Sequence, residues 1–383
     1  MKKTLVLIFG TIICCSLSFG QKVQSNPLKA GAAKVNITPA KAELPANYLG
    51  VNDSIYSRAI VVNSRTVNAA LITVDIGAIR DNMWQNITRR IEKELGIPVQ
   101  NILITATHTH AVPFGMGGEK LEQKIFESVK QAKNKLQPAR IGYGSGVSYI
   151  NVNRNIIDPG TRKWWEGANY EGPSDKTVAV VSIEALDGTP IAVYYNYAMH
   201  AVLTGNLDLV SGDAPGAASR YIESSFNNKI VALWSTGFEG DQNPVFFQQT
   251  FDLRNIRIKE YAARGEDISN AMPPGGTGMD RNNPEVARLM NEQKEITRSM
   301  GVMLGEEVKR VMRNIERPVT SATIAAAQKT VSFPGRRRTN QGRAGYEGTY
   351  VDGDSVNLRL GVLRIDDIVL GTVNAEVFNL IAQ

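Results

Sequence analysis

Hydrophobic residues in this chain fall into short blocks whose spacing alternates between a strand period and a helix period. Ala30 to Pro39 reads as a strand ending in a proline turn, and Ile60-Val61-Val62 and Ala69 to Asp75 read as two more strands with polar residues between them. Together they predict a meander. Trp84, Ile87, Ile91 and Leu95 recur at helical spacing, and Gly96-Ile97-Pro98 supplies the stop. The run Ile102 to Thr107 follows at once as a buried strand. Strand, helix and buried strand in succession predict a βαβ unit, with the chemistry at the carboxyl ends of the strands.

Further along, Glu119 to Leu136 predicts a helix, and Thr177 to Ile183 and Ile191 to Tyr197 predict strands around the turn Asp187-Gly188-Thr189-Pro190. Ala214 to Phe226 reads as a helix and Ile230 to Trp234 as a buried strand. Residues 252–285, rich in charge, Gly and Pro and including Pro273-Pro274-Gly275-Gly276, read as a surface excursion or lid. A long helix is expected from Pro284 to Ile315, then strand-like alternation from Ala322 to Gln383, with a hairpin across Asp366-Asp367. No internal repeat and no linker divides this α/β pattern.

Composition is that of an ordinary globular chain, 43% hydrophobic and 21% charged. The formal charge of +6 is scattered, with Arg336-Arg337-Arg338 as the one dense basic run, so no nucleic-acid partner is expected. Residues 1–20 change the picture more. Lys2 and Lys3, the apolar run Thr4 to Cys15 and the small residues of Ser18-Phe19-Gly20 predict a signal peptide, cleaved before Gln21, and export to a periplasm or the exterior. Lipoprotein anchoring is the competing reading, but Ile12-Ile13 before Cys14 lacks the small residue that such an anchor needs. No later stretch approaches the roughly 18 apolar residues of a membrane helix.

Both cysteines, Cys14 and Cys15, fall in this leader, so the mature chain has none. A metal site must then use His, Asp, Glu or Tyr, and a covalent nucleophile must be Ser, Thr, Tyr, Lys or a carboxylate. There are three histidines. His108 and His110 lie in Thr107-His108-Thr109-His110 at the end of a predicted strand, where a period of two sends both rings to one face. Taken alone, that pair is also what two ordinary polar residues closing a strand look like. His200 ends another apolar strand, so all three histidines fall at carboxyl ends. Imidazoles from two strands suit Zn²⁺, and a carboxylate would complete three protein ligands with a place for water, an open and catalytic arrangement. The Gly-Asp turns at Gly212-Asp213 and Gly240-Asp241 offer carboxylates that either orient a ligand histidine or cap the next helix. Arg154, in Asn153-Arg154-Asn155, is either an oxyanion binder or a solvated surface residue.

Ala33-Lys34-Val35-Asn36-Ile37-Thr38-Pro39, Tyr56-Ser57-Arg58-Ala59, Ala106 to His110, Asn153-Arg154-Asn155, Ala198-Met199-His200 and Gly240-Asp241-Gln242-Asn243-Pro244 occur in one order and spacing. In this the chain resembles the neutral/alkaline non-lysosomal ceramidases, over about residues 30 to 380. The resemblance implies mixed β-sheets layered with helices, a single ceramidase-like domain over 21–383 and no C-terminal immunoglobulin-like domain. It implies a secreted zinc-dependent amidase of sphingolipid metabolism, cleaving an N-acyl sphingoid base or related amide by metal-activated water. His108, His200 and Glu376 match the metal ligands, His110 the histidine that assists the reaction, and Arg154 the substrate-facing arginine. Glu376 stands in Asn374-Ala375-Glu376, where the family usually has Pro-Gly-Glu, and Asn243 stands where the family has a serine with a catalytic part. The family's tyrosine ligand belongs to a segment beyond Gln383. A small-molecule or lipid amide substrate and transient contact with a membrane surface follow from this reading, and no protein partner does. Two other readings remain: a metal-dependent hydrolase of a non-lipid substrate on the same scaffold, favoured by a polar mouth near Phe246-Phe247 and Trp164-Trp165, and a zinc-binding protein without turnover.

Overall fold

The computed structural model describes residues 26–160, 162–268, 279–340 and 347–382, so the predicted leader and Pro273 to Gly276 lie outside the described residues. Strands β1 (Leu28–Asn36), β2 (Gly50–Val51), β3 (Tyr56–Ser64) and β4 (Val67–Val74) lead into helix α1 (Asp81–Leu95), strand β5 (Ile102–Ala106) and helix α2 (Glu119–Asn134). Strands β6 (Gln137–Val147), β7 (Asn151–Ile157), β8 (Trp164–Asn169), β9 (Thr177–Ala185), β10 (Pro190–Tyr197) and β11 (Leu209–Val210) follow. Next come α3 (Asp213–Ser225), β12 (Val231–Thr236), β13 (Gln242–Pro244), α4 (Gln248–Ala262) and α5 (Pro284–Arg313). The last elements are β14 (Ile324–Arg338), β15 (Tyr350–Ile365), β16 (Ile368–Val373) and the single turn α6 (Asn379–Ala382).

An eight-stranded sheet in the order β12-β10-β9-β6-β1-β3-β4-β5 forms the frame. Strands β1, β3 and β4 are the expected meander, and β5 adds parallel to β4 through α1, which is the expected βαβ unit. At the other edge β12 lies parallel to β10 through α3. Among the described residues the two halves pair as strands only through the brief β1–β6 ladder, Lys29 with Pro138 and Ala30 with Gln137, and there the sheet folds over into two facing leaves. Period-two alternation then gives each strand two buried faces. Ile60, Val62, Leu71 and Leu103 point between the leaves at Ile141, Ile183, Tyr194 and Leu233. Ala59, Val61 and Ile72 point outward at Ile87, Ile91, Ile125 and Val129 of α1 and α2. Helices α3 and α5 cover the second leaf through Ala218, Ile222, Leu304 and Val308. Each such buried Ile or Leu contributes roughly 1.5–3 kcal/mol.

The remaining sheets are smaller, the pair β11-β2 and the three-stranded β13-β7-β8 and β14-β15-β16. Leu363 and Ile365 pack the latter against the core between the leaves, and Arg359 lies 3.5 Å from the Trp84 ring centre while pairing with Asp81, tying the tail to the start of α1. The expected hairpin turns at Asp366, with φ 55°. Among the described residues there is no immunoglobulin-like domain, and no helix long and apolar enough to cross a membrane.

Several expectations need correction. Met83, not Trp84, takes the buried face of α1. The first strand stops at Asn36, and the polar stretch around Arg154 is strand β7. The supposed excursion at 252–285 begins as α4, whose Leu253, Arg254 and Arg257 are buried, with Arg254 over the Trp165 ring. Strand β6 has no sequence signal of its own. Its Gly144 and Gly146 lack side chains because α5 packs directly on them, and a Cβ on Gly144 would sit 2.9 Å from Val311; Gly142 faces Ile315 and Pro318 just beyond that helix.

Beyond the apolar layers, one ion cluster joins the leaves. Arg58 on β3 is fully buried and donates to Asp75, at 2.8 Å, and to Glu223 of α3, at 2.9 Å, while Lys34 of β1 reaches Glu223 at 2.6 Å. Burial opposes the charge on Glu223, but Arg58 and Lys34 outweigh it and hold the carboxyl below the usual carboxylate range. Removing one partner strands the others in low dielectric. Arg58→Ala should therefore cost about 3–5 kcal/mol in denaturant unfolding. Because the folded value of Glu223 lies below its unfolded value near 4.3, its stabilisation is full above that pH and is lost as the pH falls through the folded value. Acid unfolding of Glu223→Gln should lack this component, and an unaltered acid limb would show that the pair carries no such linkage.

Candidate metal centre

The carboxyl ends of β5, β10 and β12 converge where the two leaves meet. The strand predicted to run through Thr107 stops at Ala106, and Thr107 to His110 is a loop in which His108 takes a left-handed φ of 57°. The two imidazoles are therefore brought together by this loop and not by the alternation of a strand. The loop is pinned on three sides: Thr107 N donates to Val74 O, His110 N to Ala201 O and Thr109 Oγ1 to Ser211 O. His200 likewise lies just beyond β10, and Glu376 lies in the segment between β16 and α6.

All five residues singled out from sequence come together. His200 Nε2 lies 3.0 Å and His108 Nε2 3.4 Å from the Glu376 carboxylate, and Arg154 Nη2 lies 3.4 Å from it. His110 Nε2 is 3.4 Å from His108 Nε2, with the rings at 89°. The ligating nitrogens of His108, His110 and His200 all lie within 4.8 Å of one another. His200 forms the buried floor, while His110 and Glu376 face solvent.

The hydrogen bonds fix the tautomers. His108 Nδ1 donates to Gly77 O at 2.6 Å and His200 Nδ1 to Glu239 O at 2.7 Å, because a carbonyl only accepts. Each Nε2 then presents a lone pair, and each faces the Glu376 carboxylate, which also only accepts. One added cation resolves this set. A proton on His108 relieves one contact; burial opposes it, but Glu376, Glu239 and the Gly77 carbonyl outweigh burial and raise its pKa to about 9. His200 is not relieved by a proton, since burial lowers its pKa, and its Nε2 meets only a long contact from Arg154 Nη1 at 3.5 Å. Although His110 is exposed, the desolvation of its ring in the cleft and the neighbouring His108 and His200 lower its pKa. Burial opposes the charge on Glu376, and the His108 and His200 contacts overcome it, holding the carboxyl far below its usual range. Two imidazoles and a carboxylate converging in this way are compatible with a divalent metal ion.

The residues that hold these groups were not evident from sequence. Neither Gly-Asp turn orients an imidazole by its carboxylate; backbone carbonyls of Gly77 and Glu239 do so, and carbonyls leave no trace in residue type. Asp213 accepts from Thr204 N and Oγ1 and from Ala214 N, fastening the loop after β10 to α3. Asp241 accepts from Asn153 Nδ2 and Asn379 N, tying β7 to the segment that carries Glu376. Arg154 is held by its own N–H to Asp241 O and by Nη2 to Gly240 O at 2.6 Å. Glu239 is 4% exposed, and burial pushes its carboxyl well above the ordinary range. Asn243 is buried in β13 and donates to Glu166. The aromatic pairs expected at the mouth are split: Trp164 and Phe246 are exposed, while Trp165 lies beneath Arg254 and Phe247 packs on the core.

Comparison with known proteins adds a family. The model of the N-terminal part of neutral/alkaline non-lysosomal ceramidases matches residues 40–345. Neutral ceramidase of Pseudomonas aeruginosa is 25% identical over 299 residues, covering 68% of this chain and 44% of the relative. Neutral ceramidase of Drosophila melanogaster is 24% identical over 267 residues, covering 60% and 38%. The matched part thus spans less than half the length of these relatives. Among solved structures, a ceramidase complexed with C2 superposes with a TM-score of 0.66 at 17% identity, over 90% of this chain and 63% of that one.

Gly240 is where the Glu376 segment touches the turn. Its N–H donates to Val377 O at 2.9 Å, and a Cβ there would collide with the Phe378 ring and sit 3.0 Å from the Val377 carbonyl carbon. Gly240→Ala should displace Glu376 and cost about 1–3 kcal/mol by overpacking. Metal retention measured after dialysis should fall with the loss of thermal stability; full retention would show that Glu376 does not depend on this contact.

Proposed function

Because the chain belongs to the neutral/alkaline non-lysosomal ceramidase family, we propose that it is a zinc-dependent amidohydrolase that cleaves an N-acyl sphingoid base or a closely related lipid amide. The observation that carries this reading is the set of acceptor-only contacts among His108, His200 and Glu376, which one divalent cation satisfies. In this reading those three residues hold the ion. Bound zinc lowers the pKa of a water to about 7 and so makes a nucleophile available at neutral pH.

The chain's own residues do the rest. Arg154, with one edge anchored on Gly240 O, is fixed to steady the negative charge that grows on the amide oxygen. His110, exposed beside His108 and neutral at working pH, would take a proton from the attacking water and pass it to the departing nitrogen as the carbon–nitrogen bond breaks, leaving a carboxylate and an amine. Asn243 has no nucleophilic oxygen, so a covalent serine mechanism at that turn has no support. Exposed Phe114, Phe238 and Phe378, each within a few residues of a site residue along the chain, support an apolar substrate. The leader pattern of residues 1–20 supports export.

The test is to purify residues 21–383, quantify zinc, and assay a fluorescent N-acyl sphingosine with and without a chelator. Turnover should be chelator-sensitive, and the His108→Ala, His200→Ala double variant should hold no zinc. Arg154→Ala should lower kcat about 10²–10³-fold. Unchanged metal content in the double variant sinks the proposal; zinc without ceramide turnover moves the substrate to non-lipid amides and esters.

A further inference from the structure

We propose that Glu239 is a positioning residue of the metal centre, a second carboxylate that balances the charge around the ion held by His108, His200 and Glu376. The inference rests on the metal reading above. Glu239 is built into the site by its backbone: its carbonyl takes His200 Nδ1 at 2.7 Å and Gln242 N at 2.7 Å, and the carbonyl of the following residue takes Arg154 Nη2. Its side chain is the anomaly. It is 4% exposed, its Oε2 is buried without any hydrogen-bond partner, and no side-chain hydrogen bond to it exists among the described residues. The charged groups that act on this carboxyl are His108, Glu376 and Arg154, all members of the centre.

A buried carboxyl with no donor weakens a fold, since it loses its hydration and gains nothing in return. It therefore has no stabilising role in the scaffold. Charge balance supplies a role. Two neutral imidazoles and one carboxylate leave a divalent ion with a net positive charge, and the Arg154 guanidinium adds another in a partly buried site. Glu239, whose charge burial disfavours when nothing is bound, offsets that excess as a second carboxylate once the ion is in place, and groups outside the direct ligands tune metal affinity in this way.

The two roles separate in experiment. The variants are Glu239→Gln, which keeps the shape and removes the charge, and Glu239→Leu, which removes the polar group. Zinc affinity is measured at one fixed pH by competition with a chromophoric chelator, and melting temperature is measured on chelator-stripped protein. Both variants should lose about 10–100-fold in zinc affinity, while the stripped protein melts at the same or a higher temperature than wild type. Wild-type zinc affinity in both variants overturns the inference alone. A loss of affinity matched by a lower melting temperature overturns it in favour of a structural role. Failure of the wild-type chain to bind zinc overturns the metal reading and this inference together.

Discussion

The centre depends on one constraint: the two leaves of a single folded sheet must close on each other at the carboxyl ends of β5, β10 and β12. His108 and His200 belong to different leaves, and no local motif brings them within reach. The closure is made by hydrogen bonds that cross from leaf to leaf. Thr73 Oγ1 donates to Trp234 O, Thr236 Oγ1 to Ala106 O and His110 N to Ala201 O. These satisfy backbone groups that strand ends leave open, so the joint that completes the sheet edges is also the joint that aligns the imidazoles. The Arg58 cluster secures the same two leaves from a third direction through α3.

Two polar clusters in this molecule follow opposite rules. Around Arg58, charges of both signs alternate, each with a partner from another element, and Arg58 Nη2 and Asp75 Oδ1 are the atoms left over. At the candidate metal centre the acceptors outnumber the donors: two imidazole lone pairs meet the Glu376 carboxylate, Arg154 is the donor to His200 and Glu376, and Glu239 Oε2 is left without a partner. Such a surplus is costly to fold. A structural cluster closes on itself, whereas a binding cluster is short of the charge that its ligand brings.

This difference explains what could be read from sequence. Strands β4, β5, β10 and β12 and helices α1, α3 and α5 are legible because their apolar periodicity is local and tertiary packing reinforces it. The three histidines are legible as a set because each follows such a strand. Their mode of approach is not, because the left-handed turn at His108 is imposed by Val74, Ala201 and Ser211, which come from three distant places. Strand β6 is invisible because its Gly144 and Gly146 are dictated by α5, and β7 because its polar residues pair with a turn far away in sequence. Glu376 could be named only through the family resemblance: its local sequence, Asn-Ala-Glu, carries no signal, and its position is set by Gly240 and Asp241.

The turn around Gly240 works through its contacts and not through a hydroxyl. Where the resemblance places a serine, Asn243 is buried in β13, opposite Val152 of β7, and donates to Glu166. Those contacts are scaffolding: the pairing of β13 with β7 presents Arg154, Asp241 anchors β7 and the Glu376 segment together, and the Glu239 carbonyl sets the His200 tautomer. These contacts fix His200, Arg154 and the Glu376 segment through backbone groups and one carboxylate, so the turn needs no hydroxyl at position 243 to hold them.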